Sequence, residues 1–227
     1  MYPSTRRWTW LAVVGMVACG LSSPRVARAQ AWDYPAFQQS HVVDREFEGG
    51  VADGGNSGTD FLFQWREGLS MLSQFSLDAG LVNSAGRGGH DIGFVGGQYA
   101  YQLAQPSPEL PIEILGTGGL NFAFGNGTTF FRIPVGASVG HRFPLGTGVA
   151  ITPFVHPKIG LDFCNSCGSG DKGRSELGVG MDLGANLDLS AMFSLRAAFS
   201  VGGTSVVSQD NSFGIALAWR PPRLIPH

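Results

Sequence analysis

The sequence predicts an all-β fold: a transmembrane, antiparallel, up-and-down β-barrel of about ten strands, reached after export. Three observations predict it. Apolar residues alternate with small or polar ones at a period of two through almost all of the chain after residue 40. After Gln30 no uninterrupted apolar stretch approaches the roughly 18 residues of a helical span, so strands are the remaining way across a bilayer. Charged residues are only 14% of the 227, against about 25% in an average soluble domain, while Gly reaches 34, about twice its usual share.

The chain opens with a secretory signal pattern over residues 1–29. Arg6 and Arg7 form its basic start, Trp8 to Leu21 its apolar run, and Ala27-Arg28-Ala29 a small-x-small cleavage site. Cleavage between Ala29 and Gln30 is expected. Met16-Val17-Ala18-Cys19 also resembles a lipoprotein processing site, which would put a lipid on Cys19. Removing residues 1–29 takes away Arg6, Arg7, Arg25 and Arg28, leaving 11 basic and 17 acidic residues, a net charge of −6. That balance offers no footprint for nucleic acid. Residues 30–40 read as a periplasmic N-terminal segment, 41–220 as the barrel and 221–227 as a tail.

Strands are expected near 42–51, 59–67, 69–82, 91–103, 111–124, 129–142, 148–163, 175–188, 191–203 and 211–220. In the fifth, Ile112, Ile114, Gly116, Gly118, Leu120, Phe122 and Phe124 alternate with Glu113, Leu115, Thr117, Gly119, Asn121 and Ala123. In the eighth, Leu177, Val179, Met181, Leu183 and Leu187 oppose Glu176, Gly178, Gly180, Asp182, Gly184 and Asn186. Gly-, Asn- and Ser-rich links at 52–58, 83–90, 125–128, 164–174 and 204–210 belong at one end, and shorter or Pro-bearing turns at the other. Eight strands result if the weakly alternating first hairpin lies outside the wall. Trp65, Tyr101, Phe143, Phe193 and Trp219 fall at the turn end, and Phe61, Phe124, Phe131, Phe163 and Phe213 at the loop end. Paired aromatic girdles of this kind mark the two faces of a bilayer.

Ser212-Phe213-Gly214-Ile215-Ala216-Leu217-Ala218-Trp219 resembles the C-terminal β-signal of bacterial outer-membrane proteins, with Ser212, Gly214, Leu217 and Trp219 at its marked positions. The resemblance implies that these residues are read by the barrel-assembly machinery, although here Arg220 to His227 follow the signal. Across residues 41–220 the chain is similar to small outer-membrane β-barrel proteins of Gram-negative bacteria. Membership implies outer-membrane lipid as its surroundings. It leaves open an anchor, a narrow pore, a channel for small or hydrophobic solutes, or an enzyme.

Candidate chemistry is sparse. Cys164-Asn165-Ser166-Cys167, in a Gly- and Ser-rich loop of an exported chain, points to a local disulfide. A metal site would need further ligands, and no cofactor motif is present. His90-Asp91, with Asp60 and Asp210 at the same level, invites comparison with the omptin-type proteases of the same strand number, but matches none of their local motifs. His156, Lys158, Asp162, Asp182, Arg196, Glu113 and Arg132 all fall on the face opposite the apolar stripe. If the seventh and eighth strands turn about Ser169, His156 faces Asp182; if the eighth and ninth turn about Leu189, Asp182 faces Arg196. A lumen cluster of His156, Asp182, Arg196 and Lys158 is therefore expected, as an ion-paired filling or as an ion path. The function predicted is a structural or surface-interaction barrel with a filled lumen and no enzymatic activity. The alternatives are a narrow or lateral channel, a rim hydrolase, and a soluble periplasmic barrel. Pro134, Pro153 and Pro157, which interrupt strands, favour the lateral channel.

Overall fold

In the computed structural model the chain is described over residues 37–53, 58–84, 91–125, 128–165, 173–203 and 211–222. The strands are β1 (Arg45–Asp53), β2 (Gly58–Ser70), β3 (Ser73–Ser84), β4 (Ile92–Ala104), β5 (Glu113–Gly125), β6 (Thr128–Gly140), β7 (Phe143–Gly146), β8 (Val149–Cys164), β9 (Arg174–Asp188), β10 (Phe193–Gly203) and β11 (Ser212–Trp219). Every pairing is antiparallel and between chain neighbours, apart from β6 with β8, which flank short β7, and the closing contact of β1 with β11. Short β7 continues β6 beyond a break at His141 and Arg142, in the same register against β8. The wall is thus a closed cylinder of ten strands. The first hairpin, whose exclusion would give eight strands, is fully in it: Glu46 pairs with Arg66 and Gly49 with Leu217. No helix occurs among the described residues.

Alternation sorts the side chains into two populations. Outward positions carry exposed Phe61, Phe63, Leu77, Leu81, Val95, Leu120, Phe122, Ile159, Leu177, Val179, Leu183, Leu195, Ile215 and Leu217, with Leu177 at 67% and Val179 at 69%. These residues lie on strands all round the circumference. A strand of 13 residues such as β2, tilted about 40°, rises roughly 33 Å, enough for the ~25 Å apolar band of a membrane barrel. Aromatic rings gather at both rims. Phe47 stacks on Trp219 at 5.7 Å at the turn end, and Phe122, Phe131 and Phe163 form a chain at 4.8 and 5.8 Å at the loop end.

Inward positions are polar, ionic or tightly packed. Glycine makes this possible. A Cβ on Gly184 would lie 2.5 Å from the ring of its cross-strand partner Phe154 and 2.7 Å from the Ala197 carbonyl oxygen. Gly50 stands in the same relation to its partner Ala216. The doubled glycine share therefore serves the interior as well as the loops: a bare backbone on one strand accommodates a large side chain from the next. At the loop end Ala52, Leu62, Val82, Ile92, Phe94, Ala123 and Phe130 bury an apolar layer inside the cylinder.

Prolines leave marks in the wall. The β5–β6 ladder steps from Gly118–Val135 to Asn121–Arg132, skipping the level of Pro134. Likewise the β6–β8 ladder steps from Gly136–Lys158 to Val139–Val155, skipping the level of Pro157. A residue without an N–H cannot complete the ladder, so β6 is the strand held least continuously on both sides.

Substituting Gly184→Val drives a branched side chain into Phe154. We expect a loss of about 1–3 kcal/mol, read as a lower denaturant midpoint of the detergent-solubilised barrel.

Candidate functional site

The lumen holds two polar assemblies. At the turn-end mouth, Glu46 and Glu48 of β1, Arg66 of β2 and Arg196 of β10 are each at most 2% exposed. Two residues apart on a strand, the two glutamates share one face, and β1 lies between β2 and β11, so cations reach them from both sides. Arg66 Nη1 donates to Glu46 Oε1 at 2.7 Å and to Glu48 Oε2 at 2.8 Å. Arg196 Nη2 meets Glu46 Oε2 at 2.6 Å, its Nη1 meets Glu48, and its Nε donates to Asn186 Oδ1 at 2.9 Å. Just past the last strand, Arg220 reaches back to Glu46 at 2.9 Å and to Asp188 at 3.0 Å. Asp188 also takes Arg142, Asn186 and Ser194. Carboxylates withdrawn from water need compensating cations, and here each has at least two.

Across the same mouth lies the segment before β1. Residues 30–40 read from sequence as lying outside the barrel, yet the described part enters it. Phe37, Gln38, Gln39 and Ser40 are at most 3% exposed. The Phe37 carbonyl accepts from Arg66 Nη2 at 2.9 Å, and that of Gln38 accepts from Ser138 at 2.9 Å. Gln39 donates to Glu46 at 3.1 Å, and Ser40 donates to Glu113 at 2.9 Å. The Val42 and Val43 amides donate to Gln102 and Gln74 at 3.0 and 2.9 Å. Partners on β2, β3, β4, β5 and β6 hold the segment in place as a cork.

Further in, His156 pairs in register with Asp182, and its Nδ1 is 3.1 Å from Asp182 Oδ2. Lys158 Nζ and Ser200 Oγ donate to Asp182 Oδ1 at 2.7 and 2.6 Å. His156 Nε2 is 3.0 Å from Thr117 Oγ1. Above this group Arg132 grips Asp162 through Nε and Nη2 at 2.6 and 2.8 Å. Among the described residues no group of three or more His, Cys, Asp or Glu is placed to hold a metal ion.

The residues singled out in sequence are thus divided. His156, Asp182 and Lys158 meet. Arg196 does not join them: β9 and β10 turn over Leu189–Met192, which sets Asp182 opposite Ser200 and Arg196 opposite Asn186. The register is shifted by four residues from a turn centred on Leu189, which carries the guanidinium to the mouth cluster. Cys164 is disulfide-bonded; Cys167, His90, Asp210, Ala29 and Gln30 lie outside the described residues. Asp91 is exposed and Asp60 is buried. Ser212 and Gly214 face the interior, while Leu217 and Trp219 are exposed on the outer surface. Sequence reasoning passed over Glu46, Glu48 and Arg66. Their signal was present as Glu-x-Glu facing Gln-x-Arg across the first hairpin.

No family model and no curated protein matches the chain. Among solved structures it is similar to a bacterial polysaccharide outer membrane secretin at 8% identity, with a TM-score of 0.49 over 73% of this chain and 57% of that one. It is also similar to LpxR from Salmonella typhimurium at 9% identity, with a TM-score of 0.45 over 77% and 99% of the two chains. A third likeness is the NanC porin, at 8% identity and TM-score 0.43 over 78% and 100%. Likenesses this distant carry no argument about activity, so the functional reading rests on this chain's own side chains.

Replacing Arg196 with Met leaves Glu46 and Glu48 short of a buried cation. Such a loss destabilises by about 3–5 kcal/mol. Arg45, 48% exposed and paired with Glu67 at 2.7 Å, is screened by solvent, so its loss should shift stability far less. Urea midpoints of Arg196→Met and Arg45→Met, compared in one detergent, test the contrast.

Proposed function

We propose that the chain is an outer-membrane β-barrel, exported with loss of residues 1–29, whose filled lumen suits a structural or surface-interaction role. The observation that carries the membrane reading is the outward belt of Leu, Ile, Val and Phe on strands around the whole circumference. Soluble monomers rarely expose contiguous apolar patches beyond a few hundred Å², whereas acyl chains cover such a belt at no cost. The inward ionic network supports the same orientation, because a soluble barrel would place its charges outside. Outer-membrane lipid is then the main partner, and the assembly machinery would read Ser212, Gly214, Leu217 and Trp219.

The filled lumen favours an anchor over a pore. The Glu46–Arg66–Glu48–Arg196 cluster and the Phe37–Val43 cork occupy the turn-end mouth, where a solute would have to pass. A second reading, the lateral channel, draws on the ladder interruptions at Pro134 and Pro157, which leave β6 the easiest strand to displace.

Membrane fractions should retain the protein, and it should migrate differently on a gel before and after boiling. Leu183→Arg, placing a cation among the outward apolar residues of β9, should cost about 2–4 kcal/mol in lipid and lower the folded yield in vesicles. Recovery of a folded monomer in buffer without detergent would remove the membrane reading. In planar bilayers the wild-type chain should stay silent; steady unitary currents would replace the anchor with the channel.

A further inference from the structure

From the lumen geometry we infer that Thr117, His156 and Asp182 form a hydroxyl–imidazole–carboxylate relay able to transfer the acyl group of a small carboxylic ester. This goes beyond the structural role and does not depend on it. The three residues sit on β5, β8 and β9, so the line from Thr117 to His156 must cross β6. Gly136 is the residue on β6 that lets it cross. Gly136 pairs with Thr117 on one side and Lys158 on the other. A Cβ there would stand 2.7 Å from His156 Nε2, and any larger residue would push the imidazole away.

The hydrogen bonds give each ring nitrogen a role. Ionised Asp182 can only accept, so the Nδ1 hydrogen points to it across 3.1 Å. In the neutral ring Nε2 then presents its lone pair to the Thr117 hydroxyl hydrogen across 3.0 Å. Lys158 and Ser200 hold the other carboxylate oxygen and fix its plane. This is the arrangement that activates a hydroxyl for nucleophilic attack.

Approach to Thr117 is from the β4, β5, β6 and β8 side of the lumen, where inward residues are the least buried. Inward-facing Gln98, Asn121, Arg132, Pro134 and Lys158 keep partial exposure, 15% for Arg132 and 20% for Lys158, unlike the closed mouth below. They border the less crowded stretch of lumen beside Thr117 and His156, which are 7% and 2% exposed. Side-chain N–H groups of Gln98, Asn121 and Lys158 can donate to a developing oxyanion.

In the reaction Thr117 Oγ1 bonds to the ester carbonyl carbon and gives its proton to Nε2. The C–O bond of the ester then breaks, and the alcohol leaves with that proton. Water next attacks the acyl-threonine, gives a proton to Nε2 and releases the acid, and Thr117 recovers its hydrogen. The net change is ester plus water to acid plus alcohol.

The full barrel in detergent is assayed with p-nitrophenyl butyrate and with a fluorophosphonate that labels activated hydroxyls. We expect nitrophenol release, and phosphonylation mapped by mass spectrometry to Thr117. Thr117→Val and His156→Ala should each lower the rate at least about a hundredfold, and Thr117→Ser should restore it. Gly136→Ala and Asp182→Asn, which act through the imidazole, should lower kcat with KM unchanged. Boiling-sensitive migration verifies that each variant is folded. Wild-type protein that neither hydrolyses nor labels overturns the proposal, as does activity surviving Thr117→Val or a label on another residue; Thr117 and His156 are then interior packing only.

Discussion

Closing a β-sheet into a cylinder turns every second side chain inward, and a ten-stranded cylinder leaves those side chains too little room for bulk water. The rest of this molecule follows from that constraint. An inward Glu or Arg loses most of its water, so it must meet an opposite charge or a hydrogen-bonding group within the lumen. Glu46 and Glu48 meet Arg66 from the adjacent strand and Arg196 from β10 beyond β11. Asp182 meets Lys158, His156 and Ser200. Bulky inward rings need space of another kind, and glycines such as Gly184 opposite Phe154 supply it.

The same constraint explains why the two halves of the lumen differ. Toward the turn end, long ionic side chains and the Phe37–Val43 segment leave nothing open. Around β5, β6 and β8 the inward residues include Gly119, Gly136 and Gly160 together with Pro134, and the side chains there reach water. Polar groups with a fixed geometry next to accessible volume are the ordinary setting for chemistry. That is why the Thr117–His156–Asp182 line stands apart from the mouth cluster, although both are networks of hydrogen-bonded charge.

The wall was largely legible from the residues because a period of two leaves a direct trace. Leu177, Val179, Met181 and Leu183 could hardly point to one side without Glu176, Gly178, Gly180 and Asp182 pointing to the other. Register was legible only where a turn centre could be placed. The β8–β9 link is symmetric about Ser169, and His156 does oppose Asp182. The β9–β10 link looked tight at Leu189 but spans Leu189–Met192, and this difference separates Asp182 from Arg196. Residues 37–43 had no period to read. Their place depends on matching Gln39, Ser40 and two main-chain amides to polar groups scattered over four strands, information that does not exist locally in the chain. Thr117 was invisible for a similar reason: its link to His156 passes over a strand that belongs to neither.

Arg220 gives the mouth cluster a property that a list of ion pairs would miss. Glu46 lies at the beginning of the wall, and Arg220 follows its last strand, yet the two side chains touch. Opposite charges planted at the extremities of the polymer can come together only after the ring is complete. Closure therefore adds a partner to each: Arg66 already meets Glu46 across the first hairpin and Asp188 already meets Arg220, and joining the edges links these two pairs into one network. The two margins of the wall are thereby coupled, so that losing either side chain removes one ion pair from the other.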